Sequence, residues 1–298
     1  MSKVVLDRTR ARRSRRERGY LPLGQHVENA LSATLSAAGA ARLSYALGLH
    51  GRLRVTQHVV RLGHQQPLVK PLVMCFASDF HAGTTHPQMY VRLMEEVQRL
   101  QPDVLLLGGD YVSTKAERVA ALLPSLSRYA PPLGKYAVLG NHDLWSGDGH
   151  IARQLALAGV QVLVNRNIQL PAPFEQVSIC GIDDPWVGSV DVARAFGGAG
   201  PIRILLSHSP DGLSLLRGMR FDVGFAGHTH GGQIAFPDGT PVVNTTGALS
   251  RLYSRGRFEI EGCGPLMVSR GVGCSIVPIR INSDPELIMC TLEAAARA

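Results

Sequence analysis

Paired cysteines are missing from this chain. Its five thiols, Cys75, Cys180, Cys263, Cys274 and Cys290, are odd in number, widely spaced and form no C-x-x-C. That argues against a disulfide framework or a zinc ribbon and predicts buried thiols in a reducing compartment. Cys75, inside the run Leu72-Val73-Met74-Cys75-Phe76-Ala77, reads as a small core residue. Long apolar runs are missing too. No stretch of 18 or more apolar residues occurs, so no membrane-spanning helix is expected. Nothing repeats, and no segment is of low complexity. What remains is a globular composition: 298 residues, 45% hydrophobic and 18% charged. This is enough for one large domain or two small ones with a substantial core.

Charge is unevenly spread. Lys3 and seven arginines against Asp7 and Glu17 give the first 20 residues +6. Arg42, Arg52, Arg54, Arg61 and Lys70 against Glu28 add +4 over residues 21–70, so the whole-chain +8 leaves −2 for residues 71–298. The basic character belongs to the N-terminal region. Its stretch RTRARRSRRERG can be a solvated arm, a patch for nucleic acid or an anionic membrane, or the start of a twin-arginine export signal at Ser14-Arg15-Arg16. Arg18 and Gly19 stand where export needs apolar residues, and Glu28 and Arg42 interrupt the following stretch. The arm also lacks the interleaved aromatics of a nucleic-acid surface. A cytoplasmic chain is expected, with peripheral contact at the inner membrane as the alternative. From Val27 to Leu49, Val27, Leu31, Leu35, Ala38, Leu43 and Leu47 follow a helical spacing. Such an amphipathic helix can lie on a membrane or dock on the body.

From residue 71 a pattern recurs: a short Val/Leu/Ile run stops at a polar cluster. PLVMCFA ends in Ser78-Asp79-Phe80-His81, DVLLL in Gly108-Gly109-Asp110, and KYAVL in Gly140-Asn141-His142-Asp143. IRILL ends in Ser207-His208, and DVGFA in Gly227-His228-Thr229-His230. Helical patterns lie between them, at Met89 to Leu100 and at Ala116 to Tyr129, where Pro124 predicts a kink. Strands alternating with helices predict a largely parallel, covered sheet. Such sheets bind ligands beyond the carboxyl ends of their strands, so the five clusters are expected to converge.

Asp79, His81, Asp110, Asn141, His208, His228 and His230 supply two carboxylates, an amide oxygen and four imidazoles. Seven ligands exceed one tetrahedral ion and suit two divalent ions sharing a carboxylate and a water or hydroxide. Mixed oxygen and nitrogen donors without thiolate favour Mn, Fe or Zn. Taken singly, Asp110 reads as a helix cap, Asn141 as a turn residue and His208 as a core histidine. Five strand ends all choosing metal ligands outweigh those readings.

In this order, SDFH, GGD, GNHD, SH and GHTH resemble the five signature blocks of the calcineurin-like metallophosphoesterases. The resemblance covers about residues 71–292, and the tail from Tyr253 is similar to the closing strands of the bacterial YkuE- and YaeI-like phosphodiesterase branch. It implies an α/β sandwich of two packed mixed β-sheets flanked by helices. To this the sequence adds residues 1–70 as basic arm, amphipathic helix and lead-in strand, before a metallophosphoesterase domain at 71–298. The resemblance further implies that Asp79, His81, Asp110 and His230 hold one ion. Asp110, Asn141, His208 and His228 hold the second, with Asp110 bridging. His142 would be a catalytic non-ligand that contacts the phosphoryl group and protonates the leaving oxygen. The implied reaction is phosphodiester or pyrophosphate hydrolysis by a metal-bridging hydroxide.

There is one departure. Phosphoprotein phosphatases of the superfamily carry GDYVDRG, whose second aspartate orients the catalytic histidine. Here Ser113 stands in its place, which speaks against phosphoproteins as substrates. A phosphoester or pyrophosphate, small or lipid-linked, is the expected substrate, with hydrolysis of UDP-2,3-diacylglucosamine as the lipid-pathway alternative. An inactive phosphoesterase-like module acting through its arm on membrane or nucleic acid is the rival of another class. No motif specifies an oligomeric state. Gly147 to Ala152 matches G-x-G-x-x-A, but the NHDLW cluster separates it from its strand, and a dinucleotide turn needs the two contiguous. Those glycines are expected to shape a loop over the metal site, with Trp145 as lid or packing.

Overall fold

In a computed structural model of the chain, the described residues are 39–63, 68–242 and 247–294, with isolated positions between 27 and 35. The strands are, in chain order, β1 (Arg54–Arg61), β2 (Leu72–Ala77), β3 (Val104–Leu107), β4 (Lys135–Ala137), β5 (Val160–Val162), β6 (Arg166–Gln169), β7 (Val177–Gly181), β8 (Ile202–Leu206), β9 (Val223–Ala226), β10 (Gly256–Glu259), β11 (Pro265–Val268) and β12 (Glu286–Glu293). They make two six-stranded sheets, ordered β1-β12-β2-β3-β4-β5 and β10-β11-β9-β8-β7-β6. Both sheets are mixed. The first is parallel except where β12 meets β2, and the second is antiparallel only at its two edge pairs, β6 with β7 and β10 with β11.

Side-chain alternation decides how the sheets stack. Leu72, Met74 and Phe76 of β2 and Val104 and Leu106 of β3 share one cluster with Val177 and Ile179 of β7, Ile202, Ile204 and Leu206 of β8, and Phe225 of β9. This is the layer between the sheets. The intervening residues Cys75, Ala77, Leu105 and Leu107 face the other way, onto Met89, Tyr90, Leu93, Met94 and Val97 of the helix Gln88–Leu100. On the far side, Cys180 and Leu205 meet Val192, Ala195 and Phe196 of the helix Val192–Phe196. Strands buried on both faces have no polar face, which is why they read as continuous apolar runs. The architecture expected from sequence, two packed mixed sheets with flanking helices, is the one found.

Two local expectations change. The helical pattern at 116–129 divides into a 3₁₀ turn, Ala116–Ala121, and one α turn, Leu123–Leu126, with Pro124 in its first turn where the missing N–H costs nothing. Residues 147–152 form no loop. Gly147, with φ 135°, joins the helix Asn141–Ser146 to the helix Asp148–Leu157, and Gly149 lies inside the latter's first turn.

At the N-terminal end the described helix is Ala40–Ala46. Val27, Ala30, Leu31, Thr34 and Leu35 are also helical, while residues 1–26, 28–29, 32–33 and 36–38 lie outside the described set. β1 runs parallel to β12 over its whole length, Arg54 opposite Glu286 through Arg61 opposite Glu293. Among the described residues no helix is long and apolar enough to cross a membrane.

Candidate metal centre

All five polar clusters lie at the carboxyl ends of their strands: β2, β3 and β4 of one sheet and β8 and β9 of the other. The backbone there is unusual. Asp79, His81, Asp110, His228 and His230 all adopt positive φ, between 47° and 73°. A left-handed conformation costs a non-glycine residue about 1–2 kcal/mol, and such strain clusters where function demands it. Two glycines of the signature blocks are required by close approach. A Cβ on Gly140 would overlap Asp110 Oδ1, and one on Gly227 would overlap Ser78 Oγ.

The side chains converge on two adjoining groups. Asp79, His81 and His230 offer ligand atoms within 4.8 Å of one another, as do Asp110, His208 and His228. Asp110 joins the groups, since its Oδ2 lies 3.6 Å from His81 Nε2 and 3.3 Å from His208 Nε2. His81 Nε2 and His230 Nε2 are 3.0 Å apart, and His230 Nε2 is 3.5 Å from Asp79 Oδ1. Around His208 Nε2 stand Asn141 Oδ1 at 3.1 Å and His228 Nδ1 at 3.3 Å. Thus all seven residues singled out from sequence as ligands meet here. His142 joins them, with a ring nitrogen inside a 4.8 Å group formed with His81 and Asp110.

The donor set fits divalent ions. Lone-pair atoms this close repel unless a proton or a metal cation lies among them. Burial holds three of the four histidines neutral, dropping His81 and His228 to about 3 and His230 well below its ordinary value. Neutral imidazole is the metal-binding form. Burial pushes Asp79 up to about 6. Burial pushes Asp110 the same way, but the facing His208 and His142 outweigh it and hold Asp110 well below the carboxylate range. For His208 burial favours the neutral ring, and Asp110 reverses this, raising it well above its ordinary value. His208 Nδ1 donates to Gly108 O at 2.7 Å, which turns Nε2 toward the cluster.

His142 is held differently. Its backbone N–H donates to Asp110 Oδ1 at 2.9 Å, and its ring Nδ1 donates to the carbonyl of Ser113 at 2.8 Å. Ser113 therefore orients the ring with its main chain. Nε2 is left free for chemistry. Trp145 meets His142 edge-on with centroids 5.2 Å apart, and Trp186 lies 5.1 Å from His228. Both tryptophans of the chain flank the centre. Trp145 packs partly buried against the main core cluster.

Two residues with no role assigned from sequence support the site. Asp143 takes four backbone N–H groups: Asp110 and Gly140 on Oδ2 at 2.8 and 2.9 Å, and Tyr111 and Val112 on Oδ1 at 2.8 and 3.4 Å. It clamps the GGD loop to the GNHD turn. Its signal was present in sequence as an acid at the third position of a helix, where it caps Gly140. Arg280 is buried behind His230, donating to the carbonyls of Gly273, Ser283 and Arg270, with its guanidinium 3.3 Å from His230 Nδ1. Nothing in the local sequence marks it.

The profile of the family described as calcineurin-like phosphoesterase matches residues 73–232, and the chain belongs to that family. It is a phosphoric ester hydrolase by class. The chain is similar to Phosphodiesterase YaeI of Escherichia coli, 31% identical over 244 residues that cover 78% of this chain and 86% of that protein. It is also similar to the uncharacterized metallophosphoesterase YkuE of Bacillus subtilis, 26% identical with 66% and 70% covered. Among solved structures, the NAD nucleotidase of Haemophilus influenzae aligns at TM-score 0.45 and 16% identity, covering 69% of this chain and 46% of that one.

Proposed function

We propose that the chain hydrolyses phosphodiesters or pyrophosphates at a dinuclear centre of two divalent ions, Mn, Fe or Zn. Asp79, His81, Asp110 and His230 would hold the first, and Asp110, Asn141, His208 and His228 the second. Residues 71–298 would form the catalytic body and 1–70 an appended segment. The observation that carries this reading is the place of Asp110 Oδ2 between His81 and His208, one carboxylate oxygen common to both ligand groups. Bound there, the ions would neutralise phosphoryl charge and supply a nucleophilic water at neutral pH.

The residues of the chain do the rest. Asp143 fixes the loop that aims Asp110, and Gly108 O and Arg280 fix the rings of His208 and His230. His142, tethered through Nδ1 to a carbonyl, presents Nε2 to the phosphoryl group and, when protonated, donates to the leaving oxygen. Ser113, standing where phosphoprotein phosphatases carry an aspartate, favours diesters and pyrophosphates over phosphoproteins. The similarity to a protein named as a phosphodiesterase points the same way.

Elemental analysis after Mn²⁺ loading and chelator wash, paired with kcat/KM for bis(p-nitrophenyl) phosphate, a nucleotide-lipid pyrophosphate and a phosphoserine peptide, tests the reading. Two ions per chain and a preference for the diester or pyrophosphate are expected. One ion, or a peptide preferred tenfold, overturns it.

A further inference from the structure

The end of the sandwich away from the metal centre holds a cavity, and its walls are basic. About 560 Å³ in volume, it is enclosed by the carboxyl end of β1, the amino ends of β8 and β9, and the hairpin of β10 and β11. β1 runs parallel to β12, which is antiparallel to β2, so the last residues of β1 stand at the pole opposite the ligand clusters. Arg203 of this wall lies near the amino end of β8, and His208 follows the carboxyl end. An extended strand of that length sets the two roughly 16 Å apart. The cavity spans the seam between the sheets and shares no residue with the metal centre.

Four arginines line it, Arg61, Arg203, Arg220 and Arg257, together with the acids Asp222 and Glu259. Two of the four are engaged with acids. Arg257 Nε meets Glu259 Oε1 at 2.8 Å while its Nη1 donates to Val59 O at 2.8 Å, and Arg61 lies 3.7 Å from Glu293. The other two are not. Arg203 hydrogen-bonds only through Nε, to Gly200 O at 3.2 Å, and the Arg220 side chain has no hydrogen bond or ion pair to the described residues. Asp222 gives Oδ2 to the backbone N–H of Arg203 at 2.7 Å rather than to a guanidinium. Two arginines without a carboxylate partner among the described residues therefore line one concavity.

We propose that this cavity binds a small phosphorylated anion. A guanidinium pairs with phosphoryl oxygens through parallel N–H···O bonds. A tetrahedral group can present oxygens both to Arg203 on β8 and to Arg220 ahead of β9, whereas a carboxylate offers two oxygens in a single plane. Residues 71–298 carry −2 overall, so the basic wall departs from the average of the body. Asp222 and Glu259 restrict the occupant: they repel the continuous charge of a polynucleotide, while one or two phosphoryl groups can seat on Arg203 and Arg220 alone. The volume lies within the range of small-molecule sites, roughly 300–1,000 Å³.

Cys263 reports on the site. Its thiol belongs to the cavity wall and is partly exposed, and the other four cysteines are buried. Burial pushes Cys75, Cys180 and Cys290 up to about 12 and Cys274 up to about 11, which keeps them from alkylation. The full metal-loaded chain is treated with iodoacetamide at fixed ionic strength under increasing inorganic phosphate or methylenediphosphonate, and modification of Cys263 is followed by mass spectrometry. Saturable protection is expected, tighter for the diphosphonate, and the same after chelator treatment. Arg220→Ala or Arg203→Gln should raise the concentration for half protection about tenfold. Circular dichroism and hydrolysis of bis(p-nitrophenyl) phosphate should be unchanged in both variants. Four results overturn the proposal: no saturable protection of the unaltered chain; protection undiminished in both arginine variants; protection by a single-stranded oligonucleotide or by citrate but not by the small phosphates; or protection that disappears with the metal.

Discussion

β3 carries an aspartate at each end, and the two do opposite work. Asp103, at the strand's start, is partly exposed and accepts the backbone N–H of Val73 at 2.9 Å, tying β2 to β3. Asp110, beyond its end, is buried, lies in a left-handed backbone and faces His81 and His208. The second sheet repeats the contrast. Asp222 before β9 accepts the N–H of Arg203 at 2.7 Å, while His228 after β9 has positive φ and meets His208. One end of the sandwich uses carboxylates as staples between strands. The other accepts strained backbone and buried charge, which must be compensated by the surrounding structure, by pairing or by a metal ion.

The sharpest break of that contrast is Asp110→Asn. Metal content should fall for both ions and activity by about three orders of magnitude or more, several kcal/mol of transition-state stabilisation. Elemental analysis and diester hydrolysis read it; full metal content with normal turnover would return Asp110 to a structural role. His142→Ala comes next. Both ions should stay while kcat falls by roughly 10² to 10⁴-fold for poor leaving groups, and far less for p-nitrophenolate. Loss of an ion would make His142 a ligand.

Asp143→Ala asks whether the strained end needs its clamp. It leaves four buried N–H groups without an acceptor, so stability should fall by roughly 3–5 kcal/mol, measured by denaturant titration. A loss under about 1 kcal/mol would mean that water replaces the carboxylate.

Asp184 sharpens the electrostatic side. Burial raises it to about 6 and leaves its Oδ2 without a partner, while Oδ1 accepts the N–H groups of Trp186 and Val187. A carboxyl raised on folding favours the folded state when protonated, so its contribution is intact below pH about 4 and is lost as pH rises through about 6. In chelator-treated protein Asp184→Asn should therefore be neutral at pH 4 and stabilising by up to about 3 kcal/mol at pH 8. A pH-independent effect would reject the argument. The smallest effect belongs to the staples. Asp103→Asn should cost about 1 kcal/mol in thermal stability and leave metal content and turnover untouched, since an amide oxygen still accepts the Val73 N–H. An activity loss there would erase the difference between the two ends.

Much of this was legible in the sequence because the chemistry sits where the periodicity stops. PLVMCFA, DVLLL and IRILL are strands buried on both faces, and their apolar runs can end only where the sheet ends, so Asp79, Asp110 and His208 announce an edge. The break in the 116–129 pattern was signalled by Pro124, while Gly147 and Gly149, which suggested a loop, instead open the helix at 148–157. Arg280 was invisible, because a lone arginine gains its role only from the carbonyls that close around it.

By itself, the sequence determined which residue types occupy the strand ends, and hence the hydrolase class, since ligand identity is a property of side chains. It also set the charge division between residues 1–70 and the rest. Only the tertiary structure decided that two sheets, rather than one, deliver the candidate ligands, that the Ser113 carbonyl holds the ring of His142, and that Leu43 and Leu47 are exposed. Each of these depends on contacts between residues far apart in the chain, as Ser113 with His142 and Ser44 with Pro278 show, and local periodicity carries no information about which distant face an element will meet.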